Sequence, residues 1–254
     1  MSQSPTPAAA QSPYGSSFYR QRDQDTRASA EAVVPVVQEL GPFRSVIDVG
    51  CGVGTWLSVF AESGADEVFG VEGDWLDTSL LEIPEERFRS HDLRQPLHLD
   101  RTFDLAMSLE VAEHLPPESA EGFVALLTRL APVVLFSAAI PFQGGQNHVN
   151  ERWPGYWAEL FDRAGFAVAD AVRRHVWQDP RVLPWYAQNT LLFVRRDVLE
   201  SRPQLAAEVE ATDPRHLALV HPSFYERKSD PRRQSLSKIV RALPGRLRLA
   251  LGRE

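Results

Sequence analysis

A β-branched run that ends on a glycine-rich turn constrains this chain more than any other feature. Ser45-Val46-Ile47-Asp48-Val49 has the make-up of a short buried strand, and Gly50-Cys51-Gly52-Val53-Gly54 follows at once. Glycine reaches backbone angles closed to other residues and lets the chain pass close to a ligand. Trp56–Glu62 then reads as a helix closed by Gly64. The turn therefore delivers a ligand to a helix N-terminus, where free N–H groups and a positive dipole wait. Spacing narrows the choice of ligand. A dinucleotide-binding turn needs G-x-G-x-x-G, but its last position falls on Thr55 counted from Gly50 and on Leu57 counted from Gly52. The glycines instead alternate. Asp48 stands two residues ahead of the first, where it repels a pyrophosphate but accepts from a cation or a hydroxyl.

The rest of the chain alternates strands with helices. Val68–Val71, Arg87–Ser90, Phe103–Leu109 and Val133–Ile140 read as strands, and Glu118–Leu130 and Glu151–Ala164 as helices. A continuous apolar run such as 133–140 suits a parallel sheet covered on both faces. Ala167–Val176 and Thr190–Arg195 read as late strands around a loop holding Trp177, Pro180, Pro184, Trp185 and Tyr186. Upstream, Ala30, Val33, Val34, Val37 and Leu40 recur at helical spacing. Pro35 is expected to kink that helix or start a new one, and Gly41-Pro42 to end it. The expected class is α/β with a doubly wound sheet.

Carboxylates recur at the ends of the strands. Glu72 ends the second, 18 residues after Gly54, and suits the two hydroxyls of a ribose. His91-Asp92-Leu93 follows the third; Asp92 is placed either to accept from an exocyclic adenine amine or to cap a turn. The pattern reads as an adenosine with a cationic or amino-acid tail and no phosphate. Asp48 to Gly54, Glu72, His91-Asp92-Leu93 and Ser108-Leu-Glu-Val-Ala-Glu-His-Leu115 together resemble, in order, the successive motifs of class I S-adenosylmethionine-dependent methyltransferases over about residues 20–200. The resemblance implies a Rossmann-like, mostly parallel seven-stranded sheet with an antiparallel last strand and an N-terminal helical lid. It implies S-adenosyl-L-methionine as donor and S-adenosylhomocysteine as product. It places Asp48, Gly50, Cys51 and Gly52 along the methionine part, Glu72 on the ribose, and Gly73, Asp74, Asp92 and Leu93 at the adenine. Ser108 and Leu109 would close the pocket near the sulfonium.

A hydroxyl acceptor also needs a base, most often His or Glu. His148, after the fifth strand, is the first choice, with His114 second and Glu110 beside it. Glu110, Glu113 and His114 stand at i, i+3 and i+4 and would share one face of a helix. The spacing, with the later His148, also resembles the metal site of small-RNA 2′-O-methyltransferases. A divalent-metal-dependent sugar or polyol O-methyltransferase using Glu110, Glu113, His114 and His148 is thus the alternative, although the leading reading assigns no metal. A protein that binds S-adenosylmethionine without methylating is another. The Asn147–Trp157 segment resembles a subset of bacterial methyltransferases found with natural-product or surface-glycan genes. Tyr14, Tyr19, Trp153, Trp185 and Tyr186 are the candidate substrate residues, the first two through a lid.

Composition excludes much else. Cys51 is the single cysteine, which removes intrachain disulfides and cysteine-rich metal sites. The lysines are Lys228 and Lys238, so the body carries neither a P-loop nor a Schiff-base lysine. Residues 227–254 hold nine Lys/Arg against two Asp/Glu, a surplus of +7; with the whole chain at −7, residues 1–226 carry −14. A body so acidic is a poor partner for nucleic acid, and a small-molecule acceptor is expected. The basic tail is expected either to be a solvated extension or to make weak membrane or protein contact. Residues 1–17 read as disordered and unlike a signal peptide, 18–200 as the methyltransferase domain, 201–226 as a C-terminal extension, and the location as cytoplasmic.

Overall fold

Seven short strands, most of them buried along their length, line up into one sheet in the computed structural model, which describes residues 16–230, with side chains from residue 24 onward. The described residues fall into two compact units that divide after Ala218. In the first, β1 (Ser45–Val49) lies parallel between β2 (Glu67–Glu72) and β4 (Leu105–Leu109). β3 (Phe88–Ser90) extends the sheet beyond β2, and β5 (Val133–Ser137) extends it beyond β4. β7 (Leu191–Arg195) enters antiparallel between β5 and β6 (Phe166–Ala169), giving the order β3-β2-β1-β4-β5-β7-β6. The chain builds outward from β1 to β3, then crosses to β4. Open α/β sheets bind ligands at such a reversal, outside the carboxyl ends of the strands.

Period two along the strands sorts their residues onto two covered faces. Val46, Leu105, Met107, Val133, Leu135, Leu192 and Val194 face one apolar layer; Ile47, Val49, Ala106, Val134, Phe136, Leu191 and Phe193 face the other. The first layer is closed by α1 (Ser16–Glu39) and α2 (Thr55–Glu62), through Val33, Val34, Val37, Leu57 and Phe60. The second is closed by α3 (Ala120–Leu130) and α4 (Pro154–Arg163), where Phe161 stacks on Phe193 at 3.9 Å between ring centroids. This double cover explains why the strands read as unbroken apolar runs.

The structure departs from the sequence expectations in several places. No new helix starts at Pro35: α1 runs through it, with Val33, Val34 and Val37 fully buried around the missing N–H. β5 stops at Ser137; Ala138–Ile140 are buried but outside the ladder. The strand expected over 167–176 ends at Ala169. Arg173–Val176 turns into the helical α5 because Arg173 folds back on Asp170 through two contacts of 2.6 and 2.8 Å. The aromatic loop is partly helical, as α6 (Pro184–Asn189). Ser16 and Ser17 begin α1, while residues 1–15, and Tyr14 with them, lie outside the described residues.

Beyond β7, α7 (Pro203–Ala211) packs on β6 and buries Leu205 completely. The compact unit therefore reaches past residue 200. The second unit, by itself, shows α8 (Pro222–Ser229), whose Arg227 lies over the Phe224 ring. Most of the basic tail, from residue 231, is outside the described residues. Among the described residues no helix is long and apolar enough to cross a membrane.

Arg173 is 1% exposed, and besides pairing with Asp170 it donates to the carbonyls of Gln188 and Leu217. Removing it strands two buried carbonyls and a carboxylate that reaches solvent. Arg173→Ala should lower stability by about 3 kcal/mol, the lower end for a broken buried pair, read as a drop in the urea midpoint.

Candidate active site

The glycine turn is shaped by positive φ at Gly50, Gly52 and Gly54 (94°, 54° and 89°). Space is limiting at the first of them: a Cβ on Gly50 would lie 2.4 Å from the Val111 side chain. The turn is tied to β2 by two N–H groups, Gly50 and Cys51, that share the Val71 carbonyl at 2.8 and 3.1 Å. Glu72 adds the second tie. Its Oε2 accepts from Gly52 N–H at 2.9 Å and its Oε1 from Gly73 N–H at 2.8 Å. Burial raises the Glu72 carboxyl, and those two N–H groups oppose the rise.

Asp48 is 2% exposed, and its Oδ1 has no hydrogen-bond partner. Burial, and then the Glu72 carboxylate, push it well above the usual range. An orphaned buried acceptor beside a turn of left-handed glycines fits a ligand that brings a donor or a positive charge. Cys51 is buried with its thiol over Gly70, and burial pushes that thiol well up, away from thiolate chemistry.

Other residues expected at the cofactor take varied positions. Ser108 is fully buried and its Oγ donates to the Val49 carbonyl at 2.8 Å, bracing β4 against β1. Leu93 and Leu109 belong to the two apolar layers. The Asp92 carboxylate is partly exposed and takes the Arg94 side chain and backbone N–H, an arrangement that closes a turn. Gly73 is covered by the Trp75 ring, and Asp74 is exposed.

After β4 and β5 lies a second cluster. Glu110, Glu113 and His114 do not share an α-helical face. Glu110 sits at a positive φ of 56°, uncommon for a non-glycine residue, and Ala112–His114 forms one 3₁₀ turn. The Glu110 N–H donates to Ser137 Oγ at 3.0 Å. Its carboxylate oxygens accept from Gln143 Nε2 at 2.7 Å and Asn189 Nδ2 at 2.9 Å. Gln188 Nε2 in turn donates to Asn189 and Gln143. Burial raises Glu110, and the amides and Ser137 oppose it.

Glu113 is fully buried and neither carboxylate oxygen has a hydrogen-bond partner. Burial, then the Glu110 carboxylate, push it well above the usual range. The His114 and His148 rings meet edge to face at 4.8 Å. One ligand atom from each of Glu113, His114 and His148 lies within 4.8 Å of the others.

His148 Nδ1 is 2.9 Å from Glu151 Oε1. The same carboxylate accepts from the Gly144 and Phe142 N–H groups, both at 2.7 Å, so it organises the whole 142–148 loop. Burial pushes Glu151 up, but the bonds from His148, Gly144 and Phe142 outweigh it and hold the acid below its ordinary range. A carboxylate held as an anion only accepts, so it is His148 Nδ1 that carries the proton between them. Sequence reasoning missed Glu151, Gln143 and Asn189. Glu151 was signalled by its i+3 spacing from His148; Gln143 and Asn189 meet Glu110 through the fold alone.

The candidate substrate aromatics divide. Trp153 is 43% exposed at the start of α4, whereas the neighbouring Trp157 is core. Trp185 is half-buried. Tyr186, expected at a substrate wall, is instead buried edge-on to Trp56 at 5.0 Å, because α6 turns it inward. Tyr19 falls on α1, where the backbone alone is described.

The Glu113 shift has a sign that can be checked. A carboxyl whose folded pKa is raised binds more protons folded than unfolded, so it costs stability as pH climbs above the ordinary carboxylate range. With chelator present, Glu113→Gln should raise the thermal midpoint at pH 7 to 8, and the gain should vanish toward pH 4. A lower midpoint at pH 8 would contradict this.

Residues 19–190, more than half of the chain, match the family model described as a methyltransferase domain. The fold is similar to magnesium protoporphyrin IX methyltransferase from Synechocystis PCC 6803, solved with bound S-adenosylhomocysteine (TM-score 0.53, 21% identity, covering 72% of this chain and 89% of that one). It is also similar to the sugar N-methyltransferase KedS8 from Streptoalloteichus sp. ATCC 53650 (TM-score 0.52, 19% identity, 76% and 100%). No curated protein sequence matches the chain. With its alternate-glycine turn, its acid-ended strands and its matched span, the chain belongs to the methyltransferase-domain family and is an S-adenosylmethionine-dependent methyltransferase.

Proposed function

We propose that the chain methylates a hydroxyl of a small-molecule acceptor, with His148 as general base. The observation that carries this reading is the Glu151–His148 pair, in which the carboxylate accepts from Nδ1 at 2.9 Å and orients the ring, so that Nε2 is the nitrogen assigned here as the base. Bound S-adenosylmethionine supplies a methyl group on a sulfonium, ready for in-line transfer. In this reading Asp48 accepts from the donor end of the methionine part and Glu72 from the ribose hydroxyls, through lone pairs that Gly52 and Gly73 leave unused. Gly50 and Gly52 let the backbone approach, and Gly73, Asp74, Asp92 and Leu93 border the adenine. His148 takes the acceptor proton at Nε2. The Glu151 carboxylate stabilises the imidazolium that results. Positioning does much of the remaining work. An acceptor free in the cytoplasm, neutral or cationic, suits the −14 of residues 1–226.

A second reading rests on Glu113. A buried carboxyl with two unpartnered oxygens beside two imidazoles is also a donor set for a divalent ion. In that reading Glu113, His114 and His148 would hold the ion, and the ion rather than His148 would activate a sugar or polyol hydroxyl.

Two experiments test these assignments. Calorimetry with S-adenosylmethionine should show Glu72→Ala binding about ten- to a hundredfold more weakly, the worth of one or two charged hydrogen bonds; unchanged affinity overturns the ribose assignment. Production of S-adenosylhomocysteine over a panel of hydroxyl acceptors should fall by roughly 10²–10⁴ in His148→Ala, with His114→Ala close to wild type and chelator without effect. Equal losses in both variants, restored activity with Mn²⁺, and Mn²⁺ binding seen by calorimetry would favour the metal reading.

A further inference from the structure

Five large apolar side chains stand exposed in the first unit among the residues whose side chains are described: Trp75, Leu80, Phe142, Val149 and Trp153. Trp75 and Leu80 belong to the segment between β2 and β3, Leu80 at the end of a 3₁₀ turn, and Phe142, Val149 and Trp153 to the segment between β5 and α4. The second group shares its segment with His148. Single exposed apolar residues scatter at random over ordinary surfaces. A set confined to the loops around a reaction centre marks a binding surface.

The β5 loop shows that this exposure is built. Phe142 is 86% exposed and sits at a φ of 68°, a strained position for an aromatic residue. The loop holds this shape because Glu151 takes the N–H groups of Phe142 and Gly144 and the His148 ring together. Val149, beside His148, is 58% exposed although its N–H is anchored on the Glu113 carbonyl at 2.9 Å. Trp153 starts α4 just beyond. One carboxylate thus sets the base and turns Phe142 out to water.

From this we infer that the acceptor carries its hydroxyl on an extended apolar framework, and that Phe142, Val149 and Trp153 form the collar that receives it. The inference rests on the hydroxyl-acceptor reading of the same site. A bare polyol would leave these side chains in water, whereas an alkyl or aryl framework would cover them. Polar chemistry then stays inside, at His148 and Glu110, and apolar recognition stays on the rim. Phe142 and Val149 stand on the loop that Glu151 holds together with His148, which distinguishes the collar from a patch placed for another partner.

The probe is the alkyl ester series of 4-hydroxybenzoate, methyl to heptyl, titrated into S-adenosylhomocysteine-loaded protein by calorimetry. Affinity should rise up to about fourfold per added methylene, as apolar surface leaves water. Phe142→Ser and Val149→Ser should flatten that slope while leaving S-adenosylhomocysteine affinity within about twofold. A flat series in the wild type overturns the inference, as does an unchanged slope in both variants. Sedimentation of the same proteins tests another occupant. A wild-type dimer that Phe142→Ser dissolves, with the ester slope intact, would assign the collar to a second copy of the chain. A steep slope, with no methylated ester formed when the same esters are incubated with S-adenosylmethionine in place of S-adenosylhomocysteine, would instead sink the hydroxyl-transfer reading and leave the collar standing.

Discussion

The Glu72 carboxylate, at the end of a buried strand, ties the glycine turn to the sheet. It takes the N–H of Gly52 with one oxygen and that of Gly73 with the other. A glycine turn alone is the floppiest stretch a chain can have, since glycine loses the most freedom on ordering. With Glu72 on one side and the Val71 carbonyl holding Gly50 and Cys51, the turn becomes a fixed cradle. Val111 fills the space against Gly50, and Ile83 that against Gly54 and Gly70, so later segments of the chain lock the same turn from outside. The second cluster hangs on the strands this arrangement aligns, for β4 is braced to β1 by Ser108 on the Val49 carbonyl.

Burying ionisable groups is expensive unless each has a partner. The two clusters meet that cost differently. Glu110 is satisfied by two carboxamides and Glu151 by two N–H groups and an imidazole. Asp48 and Glu113 are left with orphaned oxygens. The satisfied pair fixes geometry, and the orphaned pair keeps acceptors that no protein group fills. A polar group that is costly without its ligand is the physical mark of a site held ready for it.

Much of this was legible in the residues. The strand, the alternate glycines and Glu72 sit close together in sequence, so short-range spacing carries the first cluster. The second was legible in part. Glu110 directly follows β4 and His148 lies in the loop after β5, but the amides that hold Glu110 come from segments 33 and 79 residues away. No local spacing announces such a meeting. The same limit explains Tyr186: an aromatic beside prolines resembles a loop residue until α6 turns it against Trp56. It also explains the strand expected over 167–176, which Arg173 ends by folding back to Asp170.

The amino-acid order by itself determined the α/β class, the glycine turn and the acids that flank it. Those follow from periodicity and from what glycine and a nearby carboxylate do over a few residues. Only the tertiary structure decided which carboxylates are satisfied and which orphaned, and that His148 meets Glu151 through Nδ1. It also decided which apolar side chains of the 142–153 segment stand exposed among the described residues. Those are matters of contact between residues far apart in the chain, and contact is set by how the two apolar layers close on the sheet.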